Sequence, residues 1–343
     1  MAERLTVGVL THAAGAHVET YLAALAAVEE VEAVWLADPD ARWVAAAEKR
    51  LGKKWAGHFR RAEDLLQRAT PQLALVSMEA AVSPPVIDAA LEAGCHVLAE
   101  KPACVCVEQF QPLVKKAETK HRHLMLALAN RVFPPVQEAR RLIRAGELGR
   151  LYALNIFLVA DQSRLKSPAY QKSWFASRQR AGGGHLIWLG IHWLDLALYV
   201  SGLQLERVTG FAANVGGQPV DIEDSAALAF QLSGNVCGTM LSGYYLDRGY
   251  QSHLQIWGEH GWLRLAAIEE APLEWYNTRT GKVQRYEYAR GQRGYLPFVR
   301  AAVHACLGRG PVPITPREAL HVLQTIFAFY RAAATGQTQT VAG

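Results

Sequence analysis

The first third of the chain alternates short apolar runs with amphipathic stretches. Continuous apolar runs are typical of strands covered on both faces, and spacings of three and four residues are typical of helices. The predicted strands are Leu5–Leu10, Val31–Asp38, Leu73–Ser77, His96–Glu100 and Leu124–Asn130. The predicted helices are Ala16–Val28, Ala41–Leu51, Ala62–Gln67, Pro84–Ala93 and Val107–Lys120. This alternation predicts a doubly wound parallel sheet with right-handed crossovers, an α/β Rossmann-type domain.

The pattern changes near Pro134, where strand-like runs separated by glycine-containing turns begin to dominate. The predicted strands are Leu151–Ala160, Glu206–Ala213, Ser225–Leu232, Val236–Tyr244, Ser252–Trp257, Trp262–Ala266 and Leu273–Tyr276. The predicted helices are Pro134–Ala145, Gly184–Val200, Leu296–Leu307 and Pro316–Ala334. We therefore expect an α+β domain with a large, mainly antiparallel open sheet. The expected domains are residues 1–130 and 131–343, with the final helix able to pack back on the first.

Composition narrows the class of partner. The 36 basic and 31 acidic residues of the 343 are interspersed, without the basic cluster that nucleic-acid binding requires. No apolar run approaches the ~20 residues of a membrane span, and the start of the chain lacks the features of a signal peptide. The five cysteines have no zinc-type spacing. We expect a cytoplasmic protein without a metal, a nucleic-acid partner or a membrane partner.

The turn after the first predicted strand is a weak version of the dinucleotide fingerprint G-x-G-x-x-G. Thr11, Ala13 and Ala16 stand at its three glycine positions, and Gly15 lies between the last two. Glycine there allows a tight turn and close approach of the backbone to a pyrophosphate at the helix N-terminus. The turn alone therefore indicates a cofactor only weakly.

Asp38 ends the second predicted strand, where dinucleotide-binding domains carry an acidic residue. A carboxylate there accepts hydrogen bonds from the ribose diol and repels a 2′-phosphate, which favours NAD over NADP. The alternative is a helix-capping or turn aspartate, a role that fits Asp40 better than Asp38.

Two later stretches are more specific in combination. One is the Glu100-Lys101-Pro102 step, and the other is Gly182-Gly183-Gly184 followed by Gly190-Ile191-His192 and Asp195. Together they resemble the glucose–fructose oxidoreductase / inositol dehydrogenase / MocA family, and the resemblance extends over nearly the whole chain. It implies a Rossmann domain and a second domain whose sheet often builds dimers or tetramers. It also implies oxidation or reduction of sugars, cyclitols or polyols with NAD(P).

The resemblance assigns catalytic roles to Lys101, near the nicotinamide and the reacting oxygen, and to His192 as the acid/base. A compact cation at the carboxyl edge of the sheet can stabilise a developing alkoxide, and a histidine titrates near neutral pH. The alternatives are a surface lysine paired with Glu100 and a histidine satisfied in the core. The candidate cofactor contacts are Thr11, His12, Ala13, Ala14, Gly15, Asp38, Ser77, Glu100 and Lys101.

The second block predicts one polar helical face, because His185, Trp188, His192 and Asp195 are spaced by three, four and three residues. The sequence departs from the family pattern at Trp188, where active members usually carry an aspartate that would orient the histidine. Trp188 is either a platform for a sugar ring or the nicotinamide, or a packed core residue. The candidate substrate contacts are Arg131, Trp174, Arg178, His185, Trp188, Asp195 and Tyr244, with Tyr245 beside them.

Three functions remain open from the sequence. The first is an NAD-dependent dehydrogenase or reductase of a sugar-like alcohol, assembled as a homodimer or homotetramer through the second sheet. The second keeps NAD but uses a transient redox step, as in glycosidases or lyases of the same fold, and Trp188 motivates it. The third is a non-enzymatic binding or regulatory protein, motivated by the missing glycines and the missing aspartate together.

Overall fold

The structure, a computed structural model, describes residues 4–266, 273–286 and 294–341. The chain divides into two compact units. Unit 1 comprises Met1–Ala129, Gln179–Gly182 and Arg293–Leu320, and unit 2 comprises Asn130–Arg178, Gly183–Gln292 and His321–Gly343. No helix in the described parts of the chain is long and apolar enough to cross a membrane.

Unit 1 contains a parallel sheet of six strands among its described residues, in the order β3-β2-β1-β4-β5-β6. The strands are β1 (Leu5–Thr11), β2 (Val31–Ala37), β3 (Trp55–Phe59), β4 (Leu73–Ser77), β5 (His96–Ala99) and β6 (Leu124–Leu126). The helices between them are α1 (Val18–Ala27), α2 (Val44–Leu51), α3 (Ala62–Ala69), α4 (Ser83–Glu92) and α5 (Val107–Thr119). This strand order is that of a doubly wound dinucleotide-binding fold, and the predicted fold class is confirmed.

Two differences from the predicted elements have physical reasons. Strand β3 was not predicted, because Trp55–Phe59 contains glycine and histidine and is only half-buried at the sheet edge. The last strand was predicted to run to Asn130, but β6 ends at Leu126 and a 3₁₀ turn covers Ala129–Val132. The apolar residues after Leu126 are buried without extending the ladder.

Unit 2 is built on a sheet of nine strands within the described ranges, in the order β14-β13-β12-β11-β7-β10-β9-β8-β15. Only β7 and β10 pair in parallel among these strands. The strands are β7 (Leu151–Asp161), β8 (Leu205–Ala213), β9 (Ser225–Leu232), β10 (Val236–Leu246), β11 (Tyr250–Gly258), β12 (Gly261–Leu265), β13 (Leu273–Asn277), β14 (Lys282–Tyr286) and β15 (Gln339–Thr340). The mainly antiparallel sheet is confirmed.

The helices of the later chain are α6 (Pro134–Arg144), α7 (Ser163–Lys166), α8 (Pro168–Gln171), α9 (Arg178–Ala181), α10 (Ile191–Ser201), α11 (Tyr295–Cys306) and α12 (Pro316–Thr335). A π-helix, Leu186–Gly190, leads directly into α10, so the predicted helix Gly184–Val200 is not uniform. Strands β14 and β15 were not predicted. The first is a largely exposed edge strand, and the second is only two residues long.

Candidate functional site

In unit 1, the turn between β1 and α1 is fixed by side-chain contacts with the end of β4. The buried Thr11 hydroxyl donates a hydrogen bond to the Ser77 carbonyl at 2.7 Å. A Cβ added at Gly15 would overlap both the Thr11 hydroxyl and the Ser77 carbonyl. The one glycine of this turn is therefore required by packing inside the domain.

The tip of the same turn carries small, exposed side chains at Ala13 and Ala14. The His12 ring spans the turn, with Nδ1 3.0 Å from the Ala14 nitrogen and Nε2 3.1 Å from the Glu79 nitrogen. Because neutral imidazole has one acceptor, it binds one of these N–H groups at a time. Burial lowers the pKa of His12, so the ring is neutral at neutral pH.

Helix α1 begins without a side-chain cap. Its N-cap residue, His17, is in the left-handed conformation with φ of 58°, and the His17 side chain makes no capping hydrogen bond. The first N–H groups of a helix have no acceptor within the helix, and they attract anions. This end of α1 can therefore bind a phosphate group.

Asp38 follows β2 directly and is fully buried. Its carboxylate accepts hydrogen bonds from the backbone N–H groups of Trp43, at 2.9 Å, and Asp40, at 3.2 Å. Asp38 thus stabilises the turn that follows β2, while the Asp40 carboxylate accepts the Ala13 N–H of the first turn at 3.4 Å. Each carboxylate oxygen of Asp38 accepts one of these bonds and keeps a further lone pair, so the contacts do not exclude a ribose hydroxyl.

Glu100 and Lys101 lie at the end of β5, and both are buried. The Tyr21 hydroxyl donates to the Glu100 carboxylate, and the His17 ring lies 3.4 Å from the same oxygen. Burial and the nearby carboxylate raise the pKa of Tyr21 well above its usual value, so Tyr21 remains a proton donor. Lys101 is buried rather than on the surface.

These features of unit 1 fit a dinucleotide. The exposed alanines leave room at the tip of the turn, the N-terminus of α1 has no side-chain cap, and Asp38 stands after the second strand. No group of three or more His, Cys, Asp or Glu side chains suited to a metal ion occurs among the described residues.

In unit 2, the four residues expected on one helical face have different surroundings. Trp188 and His192 are partly exposed, whereas His185 and Asp195 are sealed from solvent. The π-helix lies between His185 and His192 and shifts the register of side chains there, because a π-turn contains about one more residue than an α-turn. The four residues therefore do not form one solvent-facing polar surface.

Trp188 stands on aromatic rings from the segment before α9. Its ring contacts Phe175 edge-on with 4.5 Å between centroids, and Trp174 with 5.7 Å. Trp174 and Phe175 stack on each other at 4.0 Å. Trp174 is buried, so it supports the other two rings.

His185 is a structural residue of the core of unit 2. Its Nδ1 lies 2.6 Å from the Ser242 hydroxyl, and its ring meets Tyr244 edge-on at 4.4 Å. Burial, assisted by the charge of Arg164, lowers the pKa of His185 to about 3. A histidine that stays neutral throughout the physiological range is unsuited to proton exchange at neutral pH.

Arg131 and Asp195 form a buried ion pair. The guanidinium donates to both carboxylate oxygens, with distances of 2.6 and 3.0 Å, and the side chains are 2% and 1% exposed. A bidentate pair with this burial holds α10 to the segment before α6. The structure thus gives these two candidate substrate residues a structural contact with each other.

Three further candidates have other surroundings. Tyr244 is buried beside Arg164, whose guanidinium lies 5.4 Å from its ring, while Tyr245 is exposed on the same strand. Arg178 is exposed and lies 5.6 Å from the Tyr330 ring. The sequence did not single out Phe175, Glu223 or Tyr330, although the sequence Ile222-Glu223-Asp224 was among the family-like stretches.

The fold and these residues define a dinucleotide-binding protein with a second, sheet-based domain. Residues 7–128 match the NAD-binding Rossmann domain of an oxidoreductase family, GFO/IDH/MocA, and residues 136–264 match the C-terminal domain of that family. The chain belongs to the GFO/IDH/MocA family. Its cofactor is therefore a nicotinamide dinucleotide.

Individual relatives are more distant. The D-glucoside 3-dehydrogenase of Escherichia coli K12 is 34% identical over 113 residues, which is 33% of this chain and 31% of that protein. The rhizopine catabolism protein MocA of Rhizobium meliloti is 26% identical over 290 residues, 83% of this chain and 86% of that protein. A levoglucosan dehydrogenase solved with NADH and L-sorbose superimposes with a TM-score of 0.88 at 18% identity, covering 99% of each chain. That likeness concerns the fold.

Proposed function

We propose that this protein is an NAD-dependent oxidoreductase that interconverts a hydroxyl and a carbonyl group on a sugar, cyclitol or polyol-like substrate. The observation that carries the proposal is the pair His192 and Trp188, which remain partly exposed on a helical segment whose other candidate residues are sealed. The His192 imidazole can exchange a proton with a hydroxyl group, and the Trp188 indole can pack against the apolar face of a sugar-like ring. The D-glucoside 3-dehydrogenase relative supports the same substrate class.

The residues proposed to hold the cofactor lie in unit 1. The N-terminus of α1 and the turn from Thr11 to Gly15 bind the pyrophosphate, and Asp38 binds the ribose diol, which favours NAD over NADP. When bound, the nicotinamide supplies the acceptor or donor of a hydride. Ser77 and Glu100 stand at the ends of neighbouring strands and complete the proposed set of cofactor contacts.

Lys101 and His192 are the proposed catalytic residues. The Lys101 ammonium donates a hydrogen bond to the reacting oxygen and stabilises its developing negative charge. The His192 imidazole accepts the proton of the hydroxyl during oxidation and returns it during reduction. Trp188 and Phe175 bind the apolar face of the substrate ring. The buried residues Arg131, Asp195 and His185 stabilise the segments that carry these side chains and do not contact the substrate themselves.

The test combines binding and turnover. Wild-type protein with NAD and a panel of sugars, cyclitols and polyols is expected to raise the absorbance of reduced nicotinamide. Lys101→Met and His192→Asn are expected to lower kcat/KM by ~100-fold or more while NADH still binds. His121→Asn, at the exposed turn after α5, is the matched histidine control. Turnover that survives both substitutions would refute the assigned roles.

A second function is favoured by one observation, the tryptophan at the position of the family's aspartate. An enzyme that uses NAD transiently, as a glycosidase or lyase does, would release product without net reduction. Incubation of a glycoside panel with protein and NAD, followed by analysis of products, separates the two functions. If neither NAD nor NADP binds in calorimetry, both functions fail and a regulatory or binding protein becomes the better hypothesis.

We also propose that the outer face of the large sheet joins copies of the chain into a homodimer or homotetramer. Register places Phe211, Ala227, Leu241 and Phe157 in one row across four strands. Phe211 is 81% exposed and Leu241 is 36% exposed, which is unusual for large apolar side chains in one row. Phe211→Glu combined with Leu241→Lys is expected to convert the assembly to monomers in light scattering, and an unchanged mass would contradict the proposal.

A further inference from the structure

Glu223 binds the start of the helical segment that carries Trp188 and His192. Its carboxylate accepts hydrogen bonds from the backbone N–H groups of Gly184, at 2.6 Å, and Leu186, at 3.1 Å. Its backbone carbonyl accepts the N–H of His185, at 3.1 Å. Three consecutive N–H groups that have no acceptor within the segment are therefore bound by one residue.

Tyr330, on α12, holds the same carboxylate by donating its hydroxyl at 2.8 Å. A Cβ at Gly183 would overlap the Tyr330 hydroxyl, and a Cβ at Gly184 would overlap the Glu223 carbonyl. The glycines therefore allow Glu223 and Tyr330 to approach the backbone closely. We call Glu223, Tyr330 and the N–H groups of residues 184–186 the Glu223 latch.

The latch lies directly before the π-helix. The Trp188 N–H bonds to the Gly184 carbonyl at 3.0 Å, and the Ile191 N–H bonds to the Leu186 carbonyl, five residues earlier. A π-turn has poorer geometry than an α-turn and persists only where its surroundings hold it. Since the latch fixes both Gly184 and Leu186, it fixes the two residues from which these hydrogen bonds begin.

We propose that Glu223 is a positioning residue, which sets the orientation of Trp188 and His192 by holding the π-helix through the Glu223 latch. The inference rests on the proposed function for the roles of those two side chains. Burial raises the pKa of Glu223, while its hydrogen bonds to Tyr330 and the backbone oppose that rise. A carboxylate held at the positive end of a helical segment is favoured by the backbone dipoles as well as by its hydrogen bonds.

Hydrogen exchange tests the latch without any turnover. Glu223→Gln replaces one acceptor oxygen by an NH₂ group facing backbone donors. The amides of residues 184–192 are expected to exchange ~10- to 100-fold faster, because hydrogen bonds to a charged group are lost. The amides of residues 193–201 are expected to change by less than about twofold. An equal increase in exchange rate across both ranges would mean that Glu223 stabilises the whole unit rather than this segment, and it would overturn the proposal.

The matched control is Asp224→Asn. Asp224 is also buried and also accepts backbone N–H groups, but those of Val215 and Gly216, at 2.9 and 2.7 Å. It is expected to leave exchange at residues 184–192 unchanged. If Glu223→Gln does not fold, Tyr330→Phe removes one of the latch bonds alone and is expected to give a ~3- to 10-fold increase confined to the same residues.

Kinetics then test the link to chemistry. With any substrate found active, Glu223→Gln is expected to lower kcat ~10-fold or more with KM changed less than about threefold, because the proton acceptor is displaced rather than removed. Glu223→Asp is expected to recover part of kcat. Faster local exchange with unchanged kcat would overturn the positioning role. An inactive wild-type protein would refute the proposed function and leave the exchange result to decide whether the latch holds the π-helix.

Discussion

Two glycine-containing turns lead into helical segments, one in each unit, and they differ in how the N-terminus of the segment is capped. Before α1, the N-terminus is left without a side-chain cap and the tip of the turn is lined by small exposed residues. Before the π-helix, Glu223 and Tyr330 close the N-terminus with the protein's own groups. An uncapped helix N-terminus can bind an external anion, whereas at a capped one the backbone N–H groups are already bound by groups of the protein.

The glycines of the two turns differ correspondingly. In the first turn, Gly15 packs against Thr11 and Ser77, and the exposed positions at the tip are alanines. In the second, Gly183 and Gly184 pack against the closing groups themselves. A glycine-rich turn is therefore not sufficient to indicate a phosphate site. What distinguishes the two is that the Glu223 carboxylate accepts the first N–H groups of the second segment, whereas α1 has no side-chain cap from its N-cap residue.

The largest expected effect comes from Gly184→Ala. Because the overlapping atom is the Glu223 backbone carbonyl, the chain must shift, and we expect a loss of about 3 kcal/mol in the free energy of unfolding. Urea denaturation measures it. Gly310→Ala is the control for the loss of a glycine alone, since Gly310, like Gly184, has no positive φ and a Cβ there meets no atom closer than 3.9 Å. Equal losses at both positions would contradict the close packing of the second turn.

The histidines of the two turns provide the second prediction. Burial lowers the pKa of His185 to about 3, so between about pH 6.5 and 3 the unfolded chain binds a proton that the folded chain does not. Stability from this histidine is therefore complete above about pH 6.5 and is lost as the pH falls. Each pH unit in that window costs up to ~1.4 kcal/mol.

His185→Gln removes the group that takes up this proton in the unfolded chain. The unfolding free energy should therefore depend less steeply on pH between pH 6.5 and about 4.5. The His12→Gln variant tests the other turn. His12 is only partly buried and its pKa is lowered less strongly, so a smaller flattening is expected. Denaturant titrations at several pH values measure both slopes. A wild-type slope that His185→Gln leaves unchanged would mean that His185 is protonated in the folded state.

The sequence predicted most strands, because a strand buried on both faces is a continuous apolar run and a strand buried on one face has apolar residues at alternate positions. Strand β4 and strand β9 were predicted with their observed bounds. The missed strands lie at sheet edges: β3 is half-buried and β14 is largely exposed, so neither carries an apolar pattern. The π-helix was also missed, because its residues are as apolar as those of an α-helix and only the hydrogen-bond register differs.

The sequence could identify which residues have side chains suited to catalysis or binding. It could not show which of them are exposed and which are buried against a partner. His185 and His192 looked alike in sequence, yet the first is sealed against Ser242 and the second is partly exposed. Arg131 and Asp195 were both singled out, but 64 residues separate them, and nothing in their spacing indicated that they pair with each other. The role of Glu223 likewise depends on a contact across 39 residues of chain.

A second carboxylate at the tip of the first turn, beside that of Asp40 on the Ala13 N–H, tests the difference between the two turns directly. Ala13→Glu places a negative charge at the exposed tip of the first turn, where a pyrophosphate is proposed to bind. We expect NADH affinity to fall ~10-fold, with the unfolding free energy changed by less than about 0.5 kcal/mol because the position is exposed. Ala13→Gln, which has the same length without charge, is the control, and calorimetry measures both.

The difference between the two variants should shrink as salt is added, since screening weakens repulsion between exposed charges. Equal affinities for Ala13→Glu and Ala13→Gln would mean that the open N-terminus of α1 does not hold the phosphates, and the contrast between the two turns would then lack a functional meaning.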